Sequence, residues 1–186
     1  MLGLSGMMSE AELHVLKSRM YQGKLNKARR GELVVSVPVG YVKHPSGQVT
    51  LDPDEQVQDV VRLLFDQFDA RGTVHAVLRH LIAHGIRLPI RSQSGTNRGE
   101  LEWRQPSRET VRQVLRHPIY AGAYRYGHRP IDARRQKPGR PKSGRDSGLA
   151  AEDCLVFLKD RFPTYITWER FVANQAKLAA NRSRTD

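Results

Sequence analysis

The sequence predicts an α+β fold, mainly helical: a helix-turn-helix or winged-helix-like core with a small β-sheet or hairpin, preceded by a long N-terminal connector helix. Three observations carry this. Between Val57 and Phe68, and again between Val74 and Ile82, apolar residues recur at the period of a helix facing a core. A third, arginine-bearing helix is signalled at Ser107 by a hydroxyl residue just ahead of a new periodic run. Glycine- and proline-rich breaks separate these helices and leave room only for short extended segments.

Taken in order, Ser9-Glu10-Ala11-Glu12 has the S-x-x-E form of a capping box, so a helix is expected to start at Ser9. The run to about Arg30 lacks proline, and Leu13, Leu16 and Met20 form a thin apolar stripe among many lysines and arginines. So basic a helix predicts a connector rather than a core element. Gly31 ends it, and GELVVSVPVGYVKH predicts extended chain in which Pro38 and Gly40 argue against a regular strand. Asp52-Pro53-Asp54-Glu55 predicts the next helix start, with Asp52 as N-cap and proline at the first helical position. Val57, Val60, Val61, Leu64, Phe65 and Phe68 face the core. Gly72 stops that helix and Thr73 caps the following one, whose C-cap is Gly85 with Ile86 folding back. These two helices should pack on each other.

From Pro89 to Pro106 a polar loop or small hairpin is expected, with Leu101 and Trp103 turned inward. Ser107 then caps SRETVRQVLRH, which Pro118 ends. Val111, Val114 and Leu115 form its buried edge, while Glu109, Gln113 and Arg116 point away and Arg108 and Arg112 flank the exposed face. Residues 119–126 read as a strand. A terminal amphipathic helix is started by Thr167, with Phe171, Val172, Ala176 and Leu178 available for packing.

Function is constrained first by charge. The 186 residues carry a formal net charge of +12, which favours a polyanionic partner because each neutralised phosphate releases a counterion. Residues 125–145 hold eight Lys/Arg against Asp132 alone. Within them, RRQKPGRPKSGR contains Pro138-Gly139-Arg140-Pro141, which resembles the Arg-Gly-Arg-Pro centre of the minor-groove peptide called an AT-hook, with Pro138 in place of the first arginine. Prolines would hold such a strip extended. No apolar run reaches membrane-spanning length, and the opening MLGLSGMM lacks the basic start of a secretion signal. The lone Cys154 excludes an intramolecular disulfide and a cysteine-rich zinc site, and is expected to be a small buried residue.

Catalytic chemistry is thin. His80 and His84 stand at metal-ligand spacing without a third ligand, so a surface or core-edge pair is expected and no metal is assigned. Capping accounts for Asp52, Asp54 and Glu55. No phosphate-cradling glycine loop with lysine occurs, and no cofactor is expected. The candidate site is instead a set of DNA-contacting residues: Arg108, Arg112, Gln113 and Arg116 on the third helix, and Arg134, Arg135, Lys137, Arg140, Lys142 and Arg145 in the basic segment.

SEAELH, KARRGEL, PVGY, LDPDEQVQDVVRLLFDQF, the second helix ending HGI, W-x-x-P-S, VLRHPIYAGAY and YITWERFVANQAKLAANRSR together resemble the recombinase domain of large serine recombinases, from about Ser9 to Arg184. The resemblance implies a chain organised as a connector helix (1–31), an extended linker (32–51) along DNA, and a recombinase DNA-binding domain (52–186) with a basic loop at 125–148. By the same resemblance the stretch ARRGELVVSVPVGY would run along DNA, which would place Arg29 and Arg30, at the end of the connector, against it. It implies binding to part of an attachment site on double-stranded DNA, in the cytoplasm at the nucleoid, with homo-oligomers only in the full-length recombinase. The catalytic domain has no counterpart in these residues, so no serine is assigned as nucleophile and the chain alone is expected to bind DNA without cutting it. The competing expectations are a winged-helix transcriptional regulator without catalysis, a metal-dependent nuclease or hydrolase, and a basic RNA-binding protein.

Overall fold

The computed structural model describes residues 3–33, 36–91, 96, 99–129, 135, 137, 139–140, 144 and 153–182. The chain divides into two compact units, Met1–Val35 with Tyr126–Phe157, and Ser36–Arg125 with Leu158–Asp186.

The first unit is built on α1 (Gly3–Arg29). The helix begins well before Ser9, which therefore lies inside it rather than capping it. The preceding segment contains no proline to stop the helix propagating N-terminally. Its C-terminus closes as the sequence requires: Gly31 adopts φ 68°, its amide donates to the Ala28 carbonyl (2.8 Å), and the Glu32 amide donates to Lys27 (3.0 Å). Leu13, Leu16 and Met20, the thin apolar stripe, are all exposed.

The second unit begins where an extended linker is expected, but residues 41–51 form an antiparallel hairpin, β1 (Tyr41–Lys43) with β2 (Val49–Leu51), in register Tyr41↔Leu51. Proline and glycine lie just ahead of β1 instead of inside it. Gly40, at φ 89°, sits so close to the core that an added Cβ would meet the Tyr165 hydroxyl at 2.8 Å and a Val61 methyl at 3.0 Å.

Then come α2 (Glu55–Arg71) and α3 (Val74–Ala83), packed on each other as their periodicity predicts. Asp54, not Asp52, caps α2 by accepting from the Gln56 amide. Thr73 caps α3 as expected, and Gly85 with Ile86 closes it through the Ile86 amide on the Leu81 carbonyl (2.8 Å). Ile82, in phase by sequence, is 60% exposed.

The polar stretch is a hairpin of β3 (Leu88–Arg91) and β4 (Leu101–Arg104), register Leu88↔Arg104. It leads into α4 (Arg108–Arg116).

The expected strand over 119–126 is shorter than predicted. Pro118–Ala121 is a single 3-10 turn, started by the His117 side chain on the Ile119 amide and ended by Gly122 at φ 77°. Only Tyr124–Tyr126 is strand (β5), forming a two-stranded sheet with β6 (Val156–Leu158). Cys154 is half-buried rather than fully buried.

The last element, α5 (Trp168–Arg182), starts where Thr167 accepts from the Arg170 amide. It buries Phe171 but leaves Val172 49% exposed, and Asn174 is fully buried instead.

The second unit's core joins Val57, Val61, Leu64, Phe65 and Phe68 of α2 to Val77, Leu81, Val111, Leu115 and Tyr120. Three tyrosines then anchor the start of the unit. The Tyr120 hydroxyl donates to the Val39 carbonyl (2.8 Å) and Tyr165 to Gly40 (2.6 Å), while the Tyr41 hydroxyl lies 2.9 Å from the Ile119 carbonyl and 2.8 Å from Pro163. Their rings pack at 5.4–5.8 Å between centroids. Burial pushes all three phenols up, Tyr165 to about 12.

Candidate nucleic-acid interface

α4 is formed by local chemistry and aimed by its neighbours. The Ser107 hydroxyl accepts from the Thr110 amide (3.1 Å), and the Thr110 hydroxyl accepts from the Ser107 amide (2.9 Å), a reciprocal cap. Val111, Val114 and Leu115 bury its inner face against α2, α3 and α5. At its C-terminal end, where helix carbonyls lack partners, the Gln175 amide of α5 donates to the Leu115 carbonyl (2.8 Å).

The outward face therefore carries Arg108, Arg112, Gln113 and Arg116, all exposed, together with Glu109. Glu109 accepts from Arg112 Nε (3.0 Å) and from Gln113 Nε2 (3.1 Å). Those hydrogen bonds, from Gln113 first and then Arg112, hold its carboxyl below the usual range.

The hairpin preceding α4 is held by a contact that the sequence does not announce. Asp52 is 1% exposed and receives Arg91 Nε at 2.6 Å and Nη2 at 2.7 Å. The third guanidinium nitrogen, Nη1, donates to the Gly99 carbonyl (2.9 Å). Asp52 also accepts from the Asp54 amide (3.1 Å). Burial alone would raise its pKa, but Arg91 and that amide outweigh it and leave the carboxyl lowered. In sequence Asp52 carries the pattern of a helix cap because Pro53 and Glu55 follow it, and its partner Arg91 stands on another element.

The remaining candidates lie in the first unit. Arg29 is exposed at the end of α1, and Arg30 is engaged with Glu32 through Nε and Nη2, both at 2.9 Å. Arg135, Lys137 and Arg140 are exposed. Where an extended strip is expected, the Arg140 amide donates to the Lys137 carbonyl (3.1 Å) with Gly139 at φ 72°, so the chain turns there. Arg134, Lys142 and Arg145 lie outside the described residues.

His80 and His84 have ring centroids 4.1 Å apart, and Arg71 Nη2 lies 2.9 Å from His80 Nδ1. Desolvation, His84 and Arg71 hold His80 below the usual imidazole range. Among the described residues no three His, Cys, Asp or Glu side chains group to hold a metal, and no helix is long and apolar enough to cross a membrane.

Comparison with known proteins gives this geometry a context. The chain is 44% identical over 182 residues to the Sinorhizobium fredii (strain NBRC 101917 / NGR234) protein y4bA/y4pH, covering 97% of this chain and 25% of that protein. It superposes on a crystal structure of an LSR–DNA complex with TM-score 0.55 at 15% identity, covering 87% of this chain and 38% of the other. A structure from work on the sequence requirements of the Listeria innocua prophage attP site gives TM-score 0.54 at 15% identity, covering 87% and 51%. At that identity the likeness shows a shared fold. This chain thus spans about a quarter of its rhizobial relative's length. The Recombinase family model matches residues 55–181, from the first residue of α2 to the last turn of α5, and the chain belongs to the Recombinase family.

Proposed function

We propose that this chain is the DNA-binding part of a serine site-specific recombinase, recognising a portion of an attachment site in double-stranded DNA. The observation that carries it is the outward row Arg108, Arg112, Gln113 and Arg116 on a capped helix whose opposite face is locked in the core. Arginine and glutamine are the side chains that hydrogen-bond purine edges in the major groove, and a helix is the element that fits there. Membership in the Recombinase family and a net charge of +12 support the same reading. In it, α1 is the connector from a catalytic domain supplied by other residues of the parent protein. The basic segment around 125–148 adds an electrostatic grip of low sequence preference, in which Arg134, Arg135, Lys137, Arg140, Lys142 and Arg145 act with Arg29 and Arg30. Oligomers form in the whole recombinase, and the protein works at the nucleoid.

A gel-shift titration of the chain against duplex DNA at rising salt tests this. Retardation at low salt, with affinity falling linearly on logarithmic axes, is the expected result, and no covalent adduct should form. No retardation at low salt would overturn it, and a stronger preference for RNA in direct competition would redirect it.

A further inference from the structure

The exposed face of α4 contains one acid among its bases, and Arg112 and Gln113 converge on that acid. Both carboxylate oxygens of Glu109 are used. Oε2 takes Arg112 through Nε and Nη2, each at 3.0 Å, and Oε1 takes Gln113 Nε2 at 3.1 Å. The three positions i, i+3 and i+4 share one helix face, so the arrangement follows from the sequence spacing.

Two consequences follow from chemistry. A guanidinium held along its Nε/Nη2 edge still presents its Nη1/Nη2 end, which is the pair that can meet guanine O6 and N7 together. A glutamine amide held by one N–H keeps its oxygen and its second N–H, the pair that matches adenine N6 and N7. The same carboxylate opposes the phosphate backbone, so it lowers affinity for any duplex regardless of sequence.

We propose that Glu109 is the specificity-determining positioning residue of α4, presenting Arg112 and Gln113 to a guanine- and adenine-bearing major-groove step while weakening sequence-independent adhesion. This rests on α4 being the DNA-facing helix. Glu109 acts through its two partners and reads no base itself.

The test uses the whole chain and a pool of duplexes with a randomised central stretch. Base preferences after selection, and affinity for the unselected pool, are measured for the wild type, Glu109→Ala, Glu109→Gln and Arg112→Ala. Circular dichroism of each variant confirms that the exposed substitutions leave the fold intact. Glu109→Ala is expected to flatten the guanine and adenine preferences and to bind the unselected pool roughly three- to tenfold more tightly, because a repulsive charge has gone. Glu109→Gln, which keeps an acceptor oxygen without charge, is expected to show the same rise in affinity with part of the preference retained. A purely structural role would instead weaken binding to all duplexes alike, and that result overturns the proposal. So does loss of a cytosine preference alone, which would make Glu109 a direct reader. If Arg112→Ala flattens the preferences and Glu109→Ala does not, this inference fails while α4 remains the reading helix. If neither change matters, or the wild type selects nothing, both readings fail.

Discussion

Arg91 grips Asp52 across 39 positions of chain, with Nε on Oδ2 at 2.6 Å and Nη2 on Oδ1 at 2.7 Å. The carboxylate is 1% exposed and the arginine side chain 29%, so Arg91, with the Asp54 amide, is what sustains a charge on a buried group. This ties the residue two ahead of the α2 cap to the hairpin that leads into α4.

Removing Arg91 strands a buried carboxylate, so Arg91→Ala is expected to cost about 3 kcal/mol at neutral pH. The pH dependence separates this from simple loss of packing. In the wild type the Asp52 pKa is lowered by folding, so its contribution is present above the unfolded value and is lost as pH falls through the folded one. In Arg91→Ala only the Asp54 amide still opposes burial, the largest single influence on this carboxyl, so the sign reverses: the variant should gain stability as pH drops toward 4. Urea unfolding at several pH values checks it.

The tyrosine cluster sets the alkaline limit. Folding raises all three phenols above the ordinary tyrosine value, so their contribution is complete below about pH 10 and is lost as pH climbs through the folded values. Spectrophotometric titration should show delayed ionisation, with Tyr165 near 12, released together with unfolding. Tyr120→Phe leaves the Val39 carbonyl without its donor and should cost about 1–2 kcal/mol.

Two neighbouring residues of α5 make opposite contributions. Gln175→Leu removes the donor to the Leu115 carbonyl at the end of α4 and should lower stability by about 1 kcal/mol. Asn174 is fully buried, and among the described residues neither its amide nitrogen nor its oxygen has a partner. Asn174→Leu, close in volume and without polar atoms, should therefore raise the thermal midpoint. Thermal melts of the two single variants test the contrast.

Arg112 and Arg140 should fail differently on DNA. Arg112→Ala is expected to cost about 1–3 kcal/mol on a selected duplex and to relax preference at one position. Arg140→Ala should weaken all duplexes alike and reduce the salt slope by about 1. Salt titrations on selected and unselected duplexes distinguish base reading from phosphate contact.

Helices with a strong apolar period were legible in advance because their burial follows 3.6-residue spacing: α2 and α4 turn the expected residues inward, and α3 does so except at Ile82. What escaped was settled by distant partners. Asp52 resembles a cap locally, and only Arg91 on another element shows it to be half of a buried pair. Tyr41 is buried by hydrogen bonds to carbonyls 78 and 122 residues away, so a stretch without strand-like pattern still folds. Residues 118–121 have strand composition, but Pro118 and the positive φ of Gly122 impose a 3-10 turn. The outward row of α4 was visible as a row of side chains, whereas the convergence of two of them on Glu109 needed side-chain geometry.

The pairing of β5 with β6 has an evolutionary consequence. The long basic excursion starts and finishes on hydrogen-bonded neighbours, so its two ends are already joined before its contents matter. Closing a longer loop on such a clasp costs only logarithmically more, about 0.6 kcal/mol per doubling. The segment can therefore be lengthened, shortened or rewritten at little thermodynamic penalty, and on the proposed reading its grip on the DNA backbone would diversify without any change to α4.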